Sequence, residues 1–231
     1  MTRIDKNARA GGYNVATPDK LLDAAERLFA SRHYGTVTLR EIADEAGANI
    51  GQIVYHFRRK DELVRRTILR RAGTLNRERI ELLNNYEKLV GPDNFQIEPL
   101  VRAFLDPYFR RLEAGEGQWR YFATFIARAV WDGQMATHMS ASFDEVARLY
   151  LSAFRHALPN LTNDDAVRGF QFMLAVMHVA AADDQRTNTL LDVQDETVDY
   201  AAYRTILVPF IAGGLSKISL SRNDHHGGRN E

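Results

Sequence analysis

Residues 48–62 read ANIGQIVYHFRRKDE. A short run of small and apolar residues ends in Tyr55, His56 and Phe57, and three cations, Arg58, Arg59 and Lys60, follow at once. Asn49 is a capping residue with Gln52 three positions on, the signature of a helix start. A helix is therefore predicted over residues 50–56. At about 100° per residue, Ile50, Ile53, Val54 and Phe57 cluster on one face. Gln52, Tyr55 and His56 fall elsewhere, so the expectation is a greasy back with Val54 turned inward and a hydrogen-bonding front. Such a helix is ~11–13 Å long, short enough to enter a DNA major groove ~12 Å wide. Arg58, Arg59 and Lys60 then lie at its exit, where phosphates would pass.

Upstream, Thr17 and Pro18 supply a capping hydroxyl and a proline at the first helical position. Leu21, Leu22, Ala25, Leu28 and Phe29 give the apolar stripe of a helix that ends by Gly35. Thr38 and Glu41 form a capping box for a second helix with Leu39, Ile42, Ala43 and Ala46 inward, stopped by Gly47. Two short helices joined at Gly47-Ala48-Asn49 and preceded by a longer one outline a helix-turn-helix unit.

The charge supports that outline once it is divided. The 231 residues hold 30 Lys and Arg against 30 Asp and Glu. Residues 1–75 hold 14 basic and 9 acidic side chains, a net +5, and the remainder 16 and 21, a net −5. A basic first third suggests that this part meets a polyanion. Without cysteine, disulfides, thiol catalysis and thiolate metal sites are excluded. There is no apolar run long enough to span a bilayer and no secretory signal at the start. HExxH, GxSxG and phosphate-cradling glycine loops are absent, and Asp183-Asp184 and the scattered histidines lack metal-ligand spacing. The expectation is no enzyme, no metal and no cofactor.

The run LLDAAERLFASRHYGTVTLREIADEAG followed by NIGQIVYHFRRKDELV resembles the TetR/AcrR family of transcriptional regulators over about a fifth of the chain. The ordered series Ala25, Phe29, Gly35, Thr38, Ile42, Ala43, Ala46, Gly47, Tyr55, Phe57, Lys60 and Leu63 carries it. The resemblance implies an all-α, dimeric, cytoplasmic protein whose first three helices bind a double-stranded DNA operator and whose larger C-terminal domain binds a small effector. By position it implies DNA contacts at Thr38, Arg40, Gln52, Tyr55, His56 and Lys60. Asn49 and Arg58 are added as flanking candidates. Many members carry tyrosine at position 54, whose hydroxyl meets a phosphate; Val54 cannot make that contact. Gln52 has two possible duties, capping Asn49 or pairing with adenine, and reading on DNA with capping when free is the expectation.

Beyond residue 58 helical segments continue, nine helices in all. A fourth runs from about Arg59 to Leu89, ~45 Å long, reaching from the DNA-binding part into the second domain. Others are predicted near 97–114, 118–131, 136–157, 163–183 and 196–217. The segments NRERIELLNNYE, IEPLVRAFLDPYF and ILVPFIAGGL resemble the fatty-acid-sensing branch of the family. Large side chains suggest an effector cavity lined by Phe104, Tyr108, Trp119, Phe122, Phe125, Ile126, Met173 and Met177, with Arg128 and His178 orienting a head group. A mainly apolar effector is expected, an acyl chain or an aromatic metabolite. FQFMLAVMHVAAA and YAAYRTILVPFIAGGL are apolar around much of their circumference. Pairing with a second copy as a four-helix bundle would bury Phe170, Leu174, Ala181, Tyr203, Leu207, Phe210, Ile211 and Gly214.

The expected organisation is a flexible arm at 1–16, a DNA-binding domain at 17–62, an effector and dimerisation domain at 63–220 and a disordered tail at 221–231. The expected function is a homodimeric repressor released from a palindromic operator by its ligand. A ligand-independent architectural DNA binder is the alternative.

Overall fold

The computed structural model describes residues 17–115, 117–182, 186–194 and 197–226. The arm at 1–16, Asp183-Asp184 and residues 227–231 lie outside them. All regular structure among the described residues is helical: α1 (Pro18–Ser31), α2 (Leu39–Glu45), α3 (Ile50–Phe57), α4 (Lys60–Val90), α5 (Ile97–Glu113), α6 (Gln118–Ala129), α7 (Ala136–Ala157), α8 (Asn163–Ala181), α9 (Arg186–Leu190) and α10 (Tyr200–His226).

The helix starts follow from local chemistry. The Thr17 hydroxyl accepts from the Lys20 N–H ahead of Pro18. At Thr38 the capping box is complete, since the Glu41 N–H donates to its hydroxyl at 3.2 Å and the Thr38 N–H donates to the Glu41 carboxylate at 2.8 Å. Gly47, at φ 65°, and Gly91, at φ 76°, take the left-handed backbone that ends α2 and α4, a conformation glycine adopts without steric cost.

Two differences from the predicted elements have plain causes. The five-residue α9, RTNTL, has no apolar period and none of its residues is buried, so no pattern marks it. The last helix begins at Tyr200 rather than 196 and continues to His226, through residues expected as tail. Ile218 and the buried Ser219, just before that stretch and beyond the expected helix end at 217, still face the body.

Leu21, Ala25, Phe29, Ile42, Ala43, Ile53, Phe57 and Leu63 are fully buried and tie α1–α3 to the start of α4. Along α4, Leu75 and Leu83 are buried in the second domain, whose centre is built from Phe104, Phe109, Tyr150, Phe154 and Met173. Two of the joints between the domains are buried. Glu26 of α1, wholly buried, pairs with Arg70 at 2.9 Å and with Arg71 at 3.1 Å on α4. Phe29 of α1 packs on Phe125 of α6, ring centres 5.1 Å apart. Helix α5 lies along α10 and α8 also packs on α10. At Gly169 the approach is so close that a Cβ would sit 2.4 Å from a Leu215 methyl.

Candidate DNA interface and ligand cavity

Helix α3 rests on α2 and the start of α4. Its buried residues are Ile53 and Phe57 alone. Ile50 and Val54 are each 48% exposed, which corrects the expectation that both face inward. The reason is geometric. Ile53 and Phe57 are one turn apart and form a narrow strip, while Val54 lies roughly 80° from the centre of that strip. A helix of eight residues on a shallow seat buries little beyond such a strip. Val54 therefore shares the outer surface with Tyr55, which is 82% exposed.

The remaining candidates surround this surface. Thr38 and Arg40 are exposed at the start of α2, and Asn49 is exposed at the start of α3. Gln52 is half-buried and caps: the Asn49 N–H donates to its carbonyl oxygen at 3.2 Å, while the Gln52 N–H donates to the Asn49 side chain at 3.0 Å. His56 is half-buried with its ring edge-on to Tyr55 at 5.0 Å. The Lys60 ammonium donates to the Tyr34 carbonyl at 2.5 Å and sits over the Tyr34 ring at 4.2 Å. Partial burial pulls its pKa down. An ammonium has three donors, so Tyr34 holds Lys60 at the domain surface and leaves two N–H groups for a phosphate.

Arg58 ends α3 at φ 60°, ψ −47°, with the Arg59 N–H donating to the Phe57 carbonyl across it at 2.6 Å. This tight turn is strained for a residue with a Cβ. It redirects the chain into α4 and leaves the Arg58 side chain exposed. Arg58→Gly is expected to relieve ~1–2 kcal/mol of strain, partly offset by glycine's entropy. The net result is a stabilisation of ~0.5–1 kcal/mol and a small rise in thermal midpoint, read by calorimetry. DNA affinity should fall at the same time. A lowered midpoint would show that the turn is not strained.

In the second domain a cavity of about 610 Å³ opens among α4–α8. Its inner wall is Leu75, Arg79, Phe104, Tyr108, Phe122, Ile126, Phe170, Met177 and His178, and Met139, Phe143, Leu151 and Leu174 line its outer part. The volume falls within the ~300–1,000 Å³ range of small-molecule sites. Burial holds the His178 imidazole down to about 4, so it is neutral at pH 7. Burial also pushes the Tyr108 phenol well above its ordinary range.

Six of the expected effector residues, Phe104, Tyr108, Phe122, Ile126, Met177 and His178, line this cavity. Four lie elsewhere. Trp119 is buried between the Arg71 and Arg111 guanidinium groups, at 5.2 and 5.0 Å from its ring centre. Phe125 is committed to Phe29, and Met173 is core. Arg128 is exposed beside a separate cleft of about 280 Å³ with His33 and Tyr34. Arg79 was missed. Its signal is present in the sequence: it stands midway between Leu75 and Leu83 at steps of four, a cation on an apolar face.

The expected dimer residues divide in the same way. Phe170, Ala181, Leu207 and Ile211 are buried within the chain, which corrects their assignment to an interface. Leu174 lines the cavity and Tyr203 is half-buried. Phe210 and Gly214 remain exposed. The free apolar surface runs instead through Phe172 and Val179 of α8 and Ile206, Phe210 and Leu220 of α10, each between 59% and 72% exposed. Both helices are apolar on two sides, and periodicity does not say which side the chain itself covers.

Comparisons with known proteins agree with this architecture. The family described as "Bacterial regulatory proteins, tetR family" matches residues 21–67, and "Tetracyclin repressor-like, C-terminal domain" matches residues 102–214. No curated protein matches the chain. Among solved structures, the fatty acid degradation regulator FadR from Bacillus halodurans superposes with a TM-score of 0.56 at 17% identity, covering 86% of this chain and 95% of that one. A transcriptional regulator from Pseudomonas aeruginosa PAO1 superposes at 0.54 with 15% identity, covering 87% and 92%. These two likenesses show a shared fold. With both halves matched in order to the family's two domains and the helix-turn-helix in place, the chain belongs to the TetR family and is a DNA-binding transcriptional regulator.

Proposed function

We propose that the protein is a cytoplasmic homodimeric repressor that leaves a palindromic operator when a small, mainly apolar molecule fills the 610 Å³ cavity. One observation carries the release step: the cavity wall is also the seat of the DNA-binding domain. Asp132 lines the cavity and pairs with His33, just beyond α1, at 3.0 Å. Ile126 and Ala129 line it from α6, the helix whose Phe125 holds Phe29. Arg79 and Leu75 line it from α4, whose first turn carries Lys60. A molecule that wedges α6 and α4 apart shifts α1 and α3 with them. In a dimer the two α3 helices must sit ~34–36 Å apart to reach successive grooves on one face. A ligand that fits only another spacing moves the population away from DNA. The likeness to a fatty acid degradation regulator favours an acyl chain among apolar effectors.

On DNA, Thr38, Arg58 and Lys60 meet phosphates, while Arg40, Gln52, Tyr55 and His56 face the groove. Ile50 and Val54 add something the tyrosine of many relatives would not: apolar surface suited to thymine methyl groups. Selection of duplexes from a random pool tests the reading. The wild type should enrich an inverted repeat. Gln52→Ala should lose ~1–3 kcal/mol of preference at one base pair per half-site while weakening non-specific binding little. If Gln52→Ala changes only thermal stability, Gln52 caps and does not read.

A further inference from the structure

One side chain of the cavity wall is not explained by apolar packing. Arg79 is 2% exposed. Its Nε donates to the Phe104 carbonyl at 2.9 Å, its Nη2 meets only the Met177 sulfur at 3.9 Å, and the guanidinium lies 3.8 Å from the Phe104 ring centre. No carboxylate among the described residues pairs with it. Four of the other five arginines of α4 have a carboxylate, Arg65 and Arg66 pairing with Glu62 and Arg70 and Arg71 with Glu26, and the fifth, Arg77, is exposed to water. A buried cation without a counter-ion is costly to keep unless something neutralises it. Desolvation draws its pKa down only to about 10, so it stays charged at pH 7.

Two more groups at the same end of the cavity have unmet bonding capacity. The Tyr108 hydroxyl and His178 Nδ1 are buried with no hydrogen-bond partner, their rings 6.5 Å apart edge to face. Buried polar groups are nearly always paired, and here two orphaned groups line the same cavity as a buried guanidinium that has no carboxylate partner. The outer part of the cavity offers Met139, Phe143, Leu151 and Leu174. Asp132 and Asp144 also line it, engaged with His33 and with Arg148 and Ser140 respectively.

We propose that the cavity takes an amphiphilic monoanion, a carboxylate joined to an apolar body, with the carboxylate bound by Arg79, Tyr108 and His178 and the body lying against Met139, Phe143, Leu151 and Leu174. One unpaired guanidinium matches one negative charge, in a charge-assisted and geometrically specific pair. A dianionic phosphate would leave charge unmatched. The reverse orientation would bury Arg79 against hydrocarbon and leave Tyr108 and His178 unpartnered, while the one other lining arginine, Arg148, is already paired with Asp144. The inference rests on the cavity being the effector site.

Calorimetric titration of the full-length protein with decanoate and with naphthoate, each against its methyl ester, tests it. In the wild type at least one acid should bind tenfold or more tighter than its ester. Arg79→Met should bring that ratio close to one, and Arg79→Lys should restore part of it. Because Arg79→Met also removes the bond to Phe104, Tyr108→Phe is measured beside it. It should cost the acid several-fold and the ester nothing. A ratio near one in the wild type, or one unchanged in both Arg79→Met and Tyr108→Phe, overturns the anionic assignment. If an ester binds as tightly as its acid, the cavity remains an effector site and only the anion is lost. If no acid and no ester binds, both readings fall.

Discussion

A chain carrying Ile206→Glu and Phe210→Glu should sediment as a monomer and lose operator affinity by two to three orders of magnitude. Each of these side chains is 65% exposed on α10. Full burial of such a residue contributes ~1.5–3 kcal/mol, so completing the burial of four of them across a two-fold axis contributes roughly 4–8 kcal/mol. Glutamates remove that gain and place like charges opposite one another. A monomer then binds each half-site separately and loses the effective concentration that links two sites, a factor of ~10²–10⁴. Sedimentation and fluorescence anisotropy on the same samples read both effects. A variant that still sediments as a dimer would place the interface away from the stripe through Phe172, Val179, Ile206, Phe210 and Leu220.

Glu26→Ala should lower unfolding stability by about 3 kcal/mol. Removing one partner of a buried pair costs ~3–5 kcal/mol because the opposing charge is left behind. The lower end applies here, since Arg70 and Arg71 retain about a fifth of their exposure and Asp23 still pairs with Arg70 at 2.7 Å. With ~2–4 °C per kcal/mol for chains of this size, the thermal midpoint falls by ~6–12 °C. Denaturant unfolding gives the energy directly. A loss below ~1 kcal/mol would mean that the remaining contacts, Phe29 on Phe125 foremost, seat the DNA-binding domain. Because the pair joins α1 to α4, the ligand's effect on DNA affinity should weaken together with stability.

Much of the DNA-binding half was legible because its signals are local. Thr38 with Glu41 and Asn49 with Gln52 announce helix starts within four residues, and Gly47 announces a stop through its own backbone. What the sequence left hidden depended on which neighbour arrives. Val54 and Ile50 have the right period for an inner face, yet α2 and α4 cover only Ile53 and Phe57. Phe170, Leu207 and Ile211 have the apolar character of an interface, but the chain itself buries them, Phe170 against Phe104 of α5 and Phe154 of α7, and the two α10 residues as that helix packs on α5 and α8. Arg79 drew no reading from the sequence, although its step-of-four relation to Leu75 and Leu83 places it on the buried face. Trp119 and Phe125 were assigned to the cavity by size, whereas two arginines and Phe29 claim them. Side-chain size and period indicate that a residue is buried, and only the tertiary arrangement decides against what.

The most direct test titrates a selected operator duplex with the full-length protein, with and without a molecule shown by calorimetry to fill the cavity. Two chains per duplex are expected at saturation, with a shift of at least tenfold to weaker binding when the cavity is filled. One chain per duplex, or an unchanged midpoint with the cavity filled, would contradict ligand-released repression by a dimer.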